Sequence, residues 1–169
     1  LDTMPKLLAR NASKFGDAPA FREKDLGIWQ TWTWKECSEE IQKLSKGLIK
    51  LGVQEDDHVA VIGRNRPSLY WSLLACQHIG AIPVPLYQDA VAEEMEYILS
   101  HCGASFAIVG DQEQVDKILE VSDRLKGFED IVFVDPKGLR KYDKKKLHSI
   151  ADILEIGSSD SAELDKELK

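Results

Sequence analysis

The alternation of apolar and polar residues changes character near residue 58. Ahead of it, each element occurs once. Thr3, a proline at position 5 and a run of helix formers predict a short helix over 5–14, stopped at Gly16, with Leu7, Leu8 and Phe15 as its apolar face. Two extended runs follow, 20–23 and 28–34, the second rich in aromatic and β-branched residues. The turn-like Lys24-Asp25-Leu26-Gly27 between them predicts a hairpin, with Trp32 and Trp34 on one face and Trp29 on the other. Thr33-Trp34-Lys35-Glu36 supplies the hydroxyl and carboxylate of a capping box. Apolar residues then recur at 37, 41, 44, 48 and 51, tracing one buried stripe of a helix, and Gly52 suits a left-handed stop.

From residue 59 the pattern repeats. Val59-Ala60-Val61-Ile62, 82–86, 106–109 and 131–134 are short continuous apolar runs whose starts lie about 24 residues apart. Helical patterns over 67–79, 90–102 and 112–125 separate them, with Pro67 suited to a first helical turn and Gly80 and Gly103 to helix ends. Continuous apolar strands alternating with amphipathic helices predict an α/β fold: a front β-hairpin plus βα repeats forming a mostly parallel sheet with helices on both faces. Pro83 and Pro85 cannot donate to a ladder, which places the 82–86 strand at an edge. The 67–79 helix is apolar nearly all round, so another layer should cover it, either the front hairpin or further chain. Beyond Pro136 the chain turns charged. The 148–154 patch predicts one more helix, and Gly157-Ser158-Ser159-Asp160-Ser161 has linker composition. The expected organisation is one α/β subdomain over 1–155 and a linker or frayed tail over 156–169.

Composition narrows the function. The net charge of -7 disfavours nucleic-acid binding, which needs excess Lys and Arg to neutralise phosphates, and Lys144-Lys145-Lys146 is too short a basic run to change that. Cys37, Cys76 and Cys102 are an odd, widely spaced set at helical phase with apolar neighbours, read as core thiols of a reducing, cytoplasmic compartment. No apolar run approaches the roughly 18 residues of a spanning helix. The chain starts without an initiator Met or a signal peptide, as an excised piece of a longer protein would.

Catalytic chemistry is sparse. The turn Gly63-Arg64-Asn65-Arg66-Pro67 and the turn Gly110-Asp111-Gln112 carry one glycine each, not a dinucleotide fingerprint, and no Walker motif or GxSxG occurs. Arg64 and Arg66 flank a helix start and could hold an anion there; surface charge plus an Asn65 cap is the plainer reading. His58, His78, His101 and His148 have no metal-ligand spacing, and His78 and His101 sit near helix carboxyl ends, where the dipole favours a cation. Glu39-Glu40 and Glu93-Glu94 read as solvated helix faces. Trp29, Trp32 and Trp34 read as hairpin packing rather than base stacking. The expected set of catalytic, cofactor-binding and metal residues is therefore none.

Several stretches together resemble the amino-terminal region of the adenylate-forming superfamily, and within it the long-chain fatty acid–CoA ligases. Phe21-Arg22-Glu23-Lys24 with Trp32-Thr33-Trp34 is similar to that family's opening strands. Gly47-Leu48 through Gly52 and Asp57-His58-Val59-Ala60-Val61-Ile62 resemble its "G-L-x-x-L-G-V-x-x-G-D-x-V-A-I" passage, with Asp56 where a glycine is usual. Asn65-Arg66-Pro67 resembles its "N-R-P-E-W" turn, with Ser68 replacing Glu. Gly80-Ala81-Ile82-Pro83-Val84-Pro85-Leu86-Tyr87 resembles "G-A-x-x-V-P-L-Y", and Asp111 to Val115 the segment after the next strand. The resemblance covers about residues 3–155. It implies a partial amino-terminal subdomain of the acyl-CoA ligase fold, and a parent enzyme that uses ATP and Mg²⁺ to make an acyl-adenylate and passes the acyl group to CoA. The implied partners are the remainder of that ligase, fatty acid and CoA, with peripheral membrane attachment an option for the full-length protein. The family's Ser/Thr/Gly-rich phosphate loop ending in Pro-Lys-Gly, its ribose-binding aspartate and its catalytic lysine match nothing in these 169 residues. The expectation is an inactive scaffold that self-associates, or alternatively a stand-alone α/β interaction domain.

Overall fold

The structure, a computed structural model, describes residues 2–159. Helix α1 (Met4–Phe15) and the antiparallel strands β1 (Pro19–Asp25) and β2 (Ile28–Thr33) precede the long helix α2 (Trp34–Leu51). The repeats follow as β3 (His58–Ile62), α3 (Pro67–His78), β4 (Ile82–Leu86), α4 (Ala92–Cys102), β5 (Phe106–Val109), α5 (Gln112–Val121) and β6 (Asp130–Phe133). A short strand β7 (Leu147–Ser149) and helix α6 (Ile150–Ser158) close the described chain.

The five strands β3 to β7 form one parallel sheet in the order β4-β3-β5-β6-β7. β4, with its two prolines, takes the edge as expected. The pleat sorts side chains to two cores. Ala60, Ile62, Ala107, Val109, Ile131 and Phe133 meet Met95 and Leu99 of α4 and Val115 and Ile118 of α5. Val59, Phe106, Ile108 and Val132 meet α2, α3 and α6 through Ile41, Leu44, Leu48, Ala75, Cys76 and Ile153. All four residues of β5 are buried, as suits a central strand covered on both sides.

Local signals account for the helix ends. Thr33 Oγ1 accepts from Glu36 N at 3.2 Å while Glu36 Oε2 accepts from Thr33 N at 2.8 Å, the reciprocal capping box. Gly52 ends α2 at φ +114. Asp56, standing where the resembled family has glycine, has φ +67, a left-handed conformation that Asp tolerates better than most residues. The hairpin does cover α3: Trp32 meets Trp71 edge to face at 5.4 Å, and Phe21 lies 5.6 Å from Tyr70.

Four expectations need correction. His148 and Ser149 are extended, not helical: they add a fifth strand to the sheet, and Ser149 caps a helix that begins one residue later by accepting from Asp152 N at 3.1 Å. A three-residue strand running straight into a helix is too short to show its own period. The linker composition at 157–161 begins inside α6, because Gly157 is buried against α2; residues from 160 onward lie outside the described residues. Phe15 is 43% exposed, so Leu8 is what α1 buries. Asn65 does not cap α3; Arg66 occupies that position without a side-chain bond, and Asn65 Oδ1 accepts from the Tyr70 hydroxyl.

Candidate functional site

Strand order fixes where a ligand could enter. From β3 the chain crosses by α3 to β4 on one side, and β5 lies on the other side of β3. That reversal is a topological switch point, and crevices open there beyond the carboxyl ends of the strands. The two turns singled out from sequence meet at this point. Gly63, after β3, and Gly110, after β5, are so close that a Cβ on Gly110 would lie 3.3 Å from Gly63 Cα. The crevice above them encloses about 160 Å³ and is lined by Arg64, Arg66, Ser68, Asp111 and Asp135 among others.

Most polar groups here already have partners. Arg66 Nε lies 3.2 Å from Glu23 Oε1, fastening the hairpin to α3. Asp111 Oδ1 accepts from Gln114 N at 3.4 Å and caps α5. Asp135 Oδ1 accepts from Lys137 N at 3.0 Å, and the buried Ser72 donates to the Ser68 carbonyl at 2.7 Å. Arg64 is exposed and, among the described residues, makes no ion pair. The crevice thus offers the exposed Arg64 guanidinium, whose charge also helps to lower the pKa of Glu113, the uncapped start of α3 and bare backbone at its floor. It has no nucleophile–base pair. Ser72 and Asp135 escaped the sequence reading; the available signal was that Asp135 follows the next strand and so also lies at the carboxyl end of the sheet.

The other candidates lie elsewhere. His148 Nε2 is 2.9 Å from Asp130 Oδ1 at the amino end of the sheet, opposite the crevice. His101 stacks on Tyr97 at 5.8 Å on the surface of α4. His78 Nδ1 lies 3.1 Å from Ser45 Oγ, and burial holds its pKa below the ordinary value. Desolvation therefore opposes the charge that the helix dipole would favour there. Cys37 and Cys76 are buried free thiols pushed up by burial to about 11 and about 12, the state of inert core residues; Cys102 is half-buried and also free. Glu40 pairs with Lys43 at 2.7 Å, and Glu94 Oε2 accepts from Val91 N at 3.3 Å, so both acidic pairs serve their helices.

A model of the AMP-binding enzyme family matches residues 8–163. The chain belongs to that family. Among curated relatives, the long-chain-fatty-acid–CoA ligase ACSBG2 of Xenopus laevis is 26% identical over 155 residues, covering 92% of this chain and 21% of that protein. ACSBG2 of Mus musculus is 34% identical over 119 residues, or 69% of this chain and 18% of that protein. The uncharacterized protein Rv1549 of Mycobacterium tuberculosis is 31% identical over 116 residues, covering 69% of this chain and 65% of that protein. A solved long-chain-fatty-acid–CoA ligase from Archaeoglobus fulgidus shares the fold with a TM-score of 0.77 at 22% identity, over 92% of this chain and 30% of that one. The chain therefore spans about a fifth of the length of the ligases it matches.

A crevice of about 160 Å³ is below the roughly 300–1,000 Å³ of ligand pockets. Among the described residues no three His, Cys, Asp or Glu side chains gather into a set that could hold a metal ion. No helix among them is long and apolar enough to cross a membrane.

Proposed function

We propose that this chain is the scaffold lobe of an ATP-dependent long-chain fatty acid–CoA ligase. The reading rests on one observation: the family match runs over 8–163 on a fold shared with about 30% of a solved ligase chain. In the whole enzyme, ATP with Mg²⁺ converts the fatty acid to an acyl-adenylate with release of pyrophosphate, and CoA then displaces AMP. The lobe holds its sheet and helices rigid beneath a site built mostly by the rest of the protein. The chain alone is therefore inactive. ATP–pyrophosphate exchange with a panel of fatty acids should be silent for residues 1–169 and present once the lobe is joined to the downstream reading frame. Robust exchange by the chain alone would sink the scaffold reading.

The likeness to a mycobacterial protein of comparable length favours a second reading, a free-standing α/β interaction domain. The gene separates the two. An in-frame continuation into a Ser/Thr/Gly-rich loop ending in Pro-Lys-Gly supports the ligase lobe, and a stop codon supports the free domain. The isolated chain exposes Ile82, Tyr87 and Val91 along the β4 side and self-associates there. A monomer at high concentration in sedimentation velocity would contradict this.

A further inference from the structure

The loop that joins β6 to β7 is the most basic stretch of the chain, and its chemistry is independent of the ligase reading. Residues 137–146 carry six Lys and Arg and one Asp, in a chain whose net charge is -7. The loop is held down at several points. Leu139 is buried in the core that α4 and α5 cover. Tyr142 Oη donates to Asp116 Oδ1 of α5 at 2.6 Å and accepts from Gln112 Nε2 at 2.7 Å. Gly138 presses on the same helix, so that a Cβ there would lie 1.8 Å from Gln112 Oε1. Asp143 Oδ1 accepts from Lys145 N at 3.1 Å, and Ile131 N donates to the Lys146 carbonyl at 2.9 Å. The backbone is thereby fixed as an arch, and Lys137, Arg140, Lys141, Lys144, Lys145 and Lys146 are all exposed on it.

On the helices, cations have carboxylate partners: Lys43 with Glu40, Lys117 with Glu113, Arg124 with Glu96. On the arch only Lys137 has one, Asp135 at 3.6 Å. Among the described residues Arg140, Lys141, Lys144 and Lys145 make no ion pair. Neighbouring like charges repel, so the cluster gains from an incoming counter-charge. Three features select its kind. Leu139 is buried and Tyr142 half-buried, so the arch has no exposed large apolar group to insert among acyl chains or to stack on a base. Asp116 and Glu129 flank it, so a long polyanion laid across it would meet repulsion at its ends. The arch is already ordered, so a short ligand binds without fixing it first. We propose that the 137–146 arch is a docking site for a short acidic segment, a cluster of Glu and Asp, on a partner protein.

Fluorescence anisotropy tests this with the full chain and a labelled Glu-rich peptide of about ten residues, in about 50 mM salt so that screening stays weak. The variant is R140Q/K141Q/K144Q/K145Q. All four side chains are exposed, so the fold is retained, as circular dichroism would verify. K6Q/K14Q/K24Q/K35Q removes the same charge from exposed positions elsewhere. The wild type should bind the peptide, and more weakly as salt rises. The arch variant should lose about tenfold or more, as expected when four exposed ion pairs are removed. The control variant should stay within about twofold, because screening confines each charge to its own surroundings. Absence of wild-type binding, or equal loss by the two variants, overturns the proposal. So does tighter binding through the arch to a single-stranded oligonucleotide of matched charge or to phosphatidylglycerol vesicles, which would make it a phosphate site. A salt-sensitive dimer that the arch variant dissolves, with no peptide bound by the wild type, would make it a contact between copies and overturn the proposal too. None of these outcomes bears on pyrophosphate exchange.

Discussion

Two pairs of glycines hold backbones together in this fold, and they do so to different ends. Gly47 of α2 and Gly157 of α6 form a seam between helices. A Cβ at 47 would lie 2.2 Å from the Ile153 carbonyl oxygen, and one at 157 would lie 1.8 Å from that of Lys43. Nothing larger than hydrogen fits, and the obstacles are backbone atoms that cannot swing aside. Gly63 and Gly110, at the switch point, come from neighbouring strand ends. A Cβ at either meets the other's Cα at 3.4 or 3.3 Å, tight but within reach of small adjustments. The seam is closed on all sides, whereas the switch-point pair floors an open crevice. Glycine at the seam is a requirement of packing; at the crevice it leaves space that the described chain does not fill.

The comparison breaks most visibly at the seam. Gly157→Ala should destabilise by about 3 kcal/mol, the upper end of the cost of overpacking a closed interior, and Gly47→Ala by a similar amount. The two residues share one contact, so the double variant should cost less than the sum. Urea denaturation followed by circular dichroism measures this. A midpoint for Gly157→Ala indistinguishable from wild type would mean that α6 does not pack on α2 at this distance.

The layer that contains the seam also responds to pH. His78 sits at the end of α3 against Ser45 of α2, and burial lowers its pKa from 6.5. In the unfolded chain His78 takes a proton near its ordinary value, and in the folded chain it resists. The unfolded state therefore binds more protons below that pH, and stability due to neutral His78 is present above about 6.5 and lost as pH falls below it. The difference in stability between wild type and His78→Asn should shrink or reverse between pH 7.5 and 5.5. A constant difference across that range would remove His78 as the cause.

The seam and the crevice also differ in how readily a sequence reveals them. The repeating strands, the capping box at Thr33 and the edge position of β4 all follow from residue type and period, because propensity and burial act over neighbouring residues. The crevice was half legible: its two turns stood out as strand-to-helix junctions, but only the strand order brings Gly63 against Gly110. The seam was hidden. Gly157 sits among serines and reads as linker, since its constraint comes from Lys43, more than a hundred residues away. β7 was missed for a related reason: Leu147–Ser149 is a strand because β6 offers its edge, not because three residues declare a period.

The smallest expected effect discriminates best between the two glycine pairs. Gly110→Ala adds one methyl at 3.3 Å from Gly63 Cα, with Ile62 O at 3.7 Å and Arg64 N at 3.9 Å beyond it. Its φ lies outside the left-handed region, so alanine brings no backbone strain and gains slightly by restricting the unfolded chain. The two terms oppose, and stability should stay within about 1 kcal/mol of wild type. Function then carries the information. If the lobe is a scaffold, Gly110→Ala in the full-length ligase should leave pyrophosphate exchange within about twofold, because a 1 kcal/mol disturbance that misses the reacting groups has little leverage on a barrier. Exchange that collapses while the denaturation midpoint holds would place a reactant in the crevice and move this lobe from support to active site.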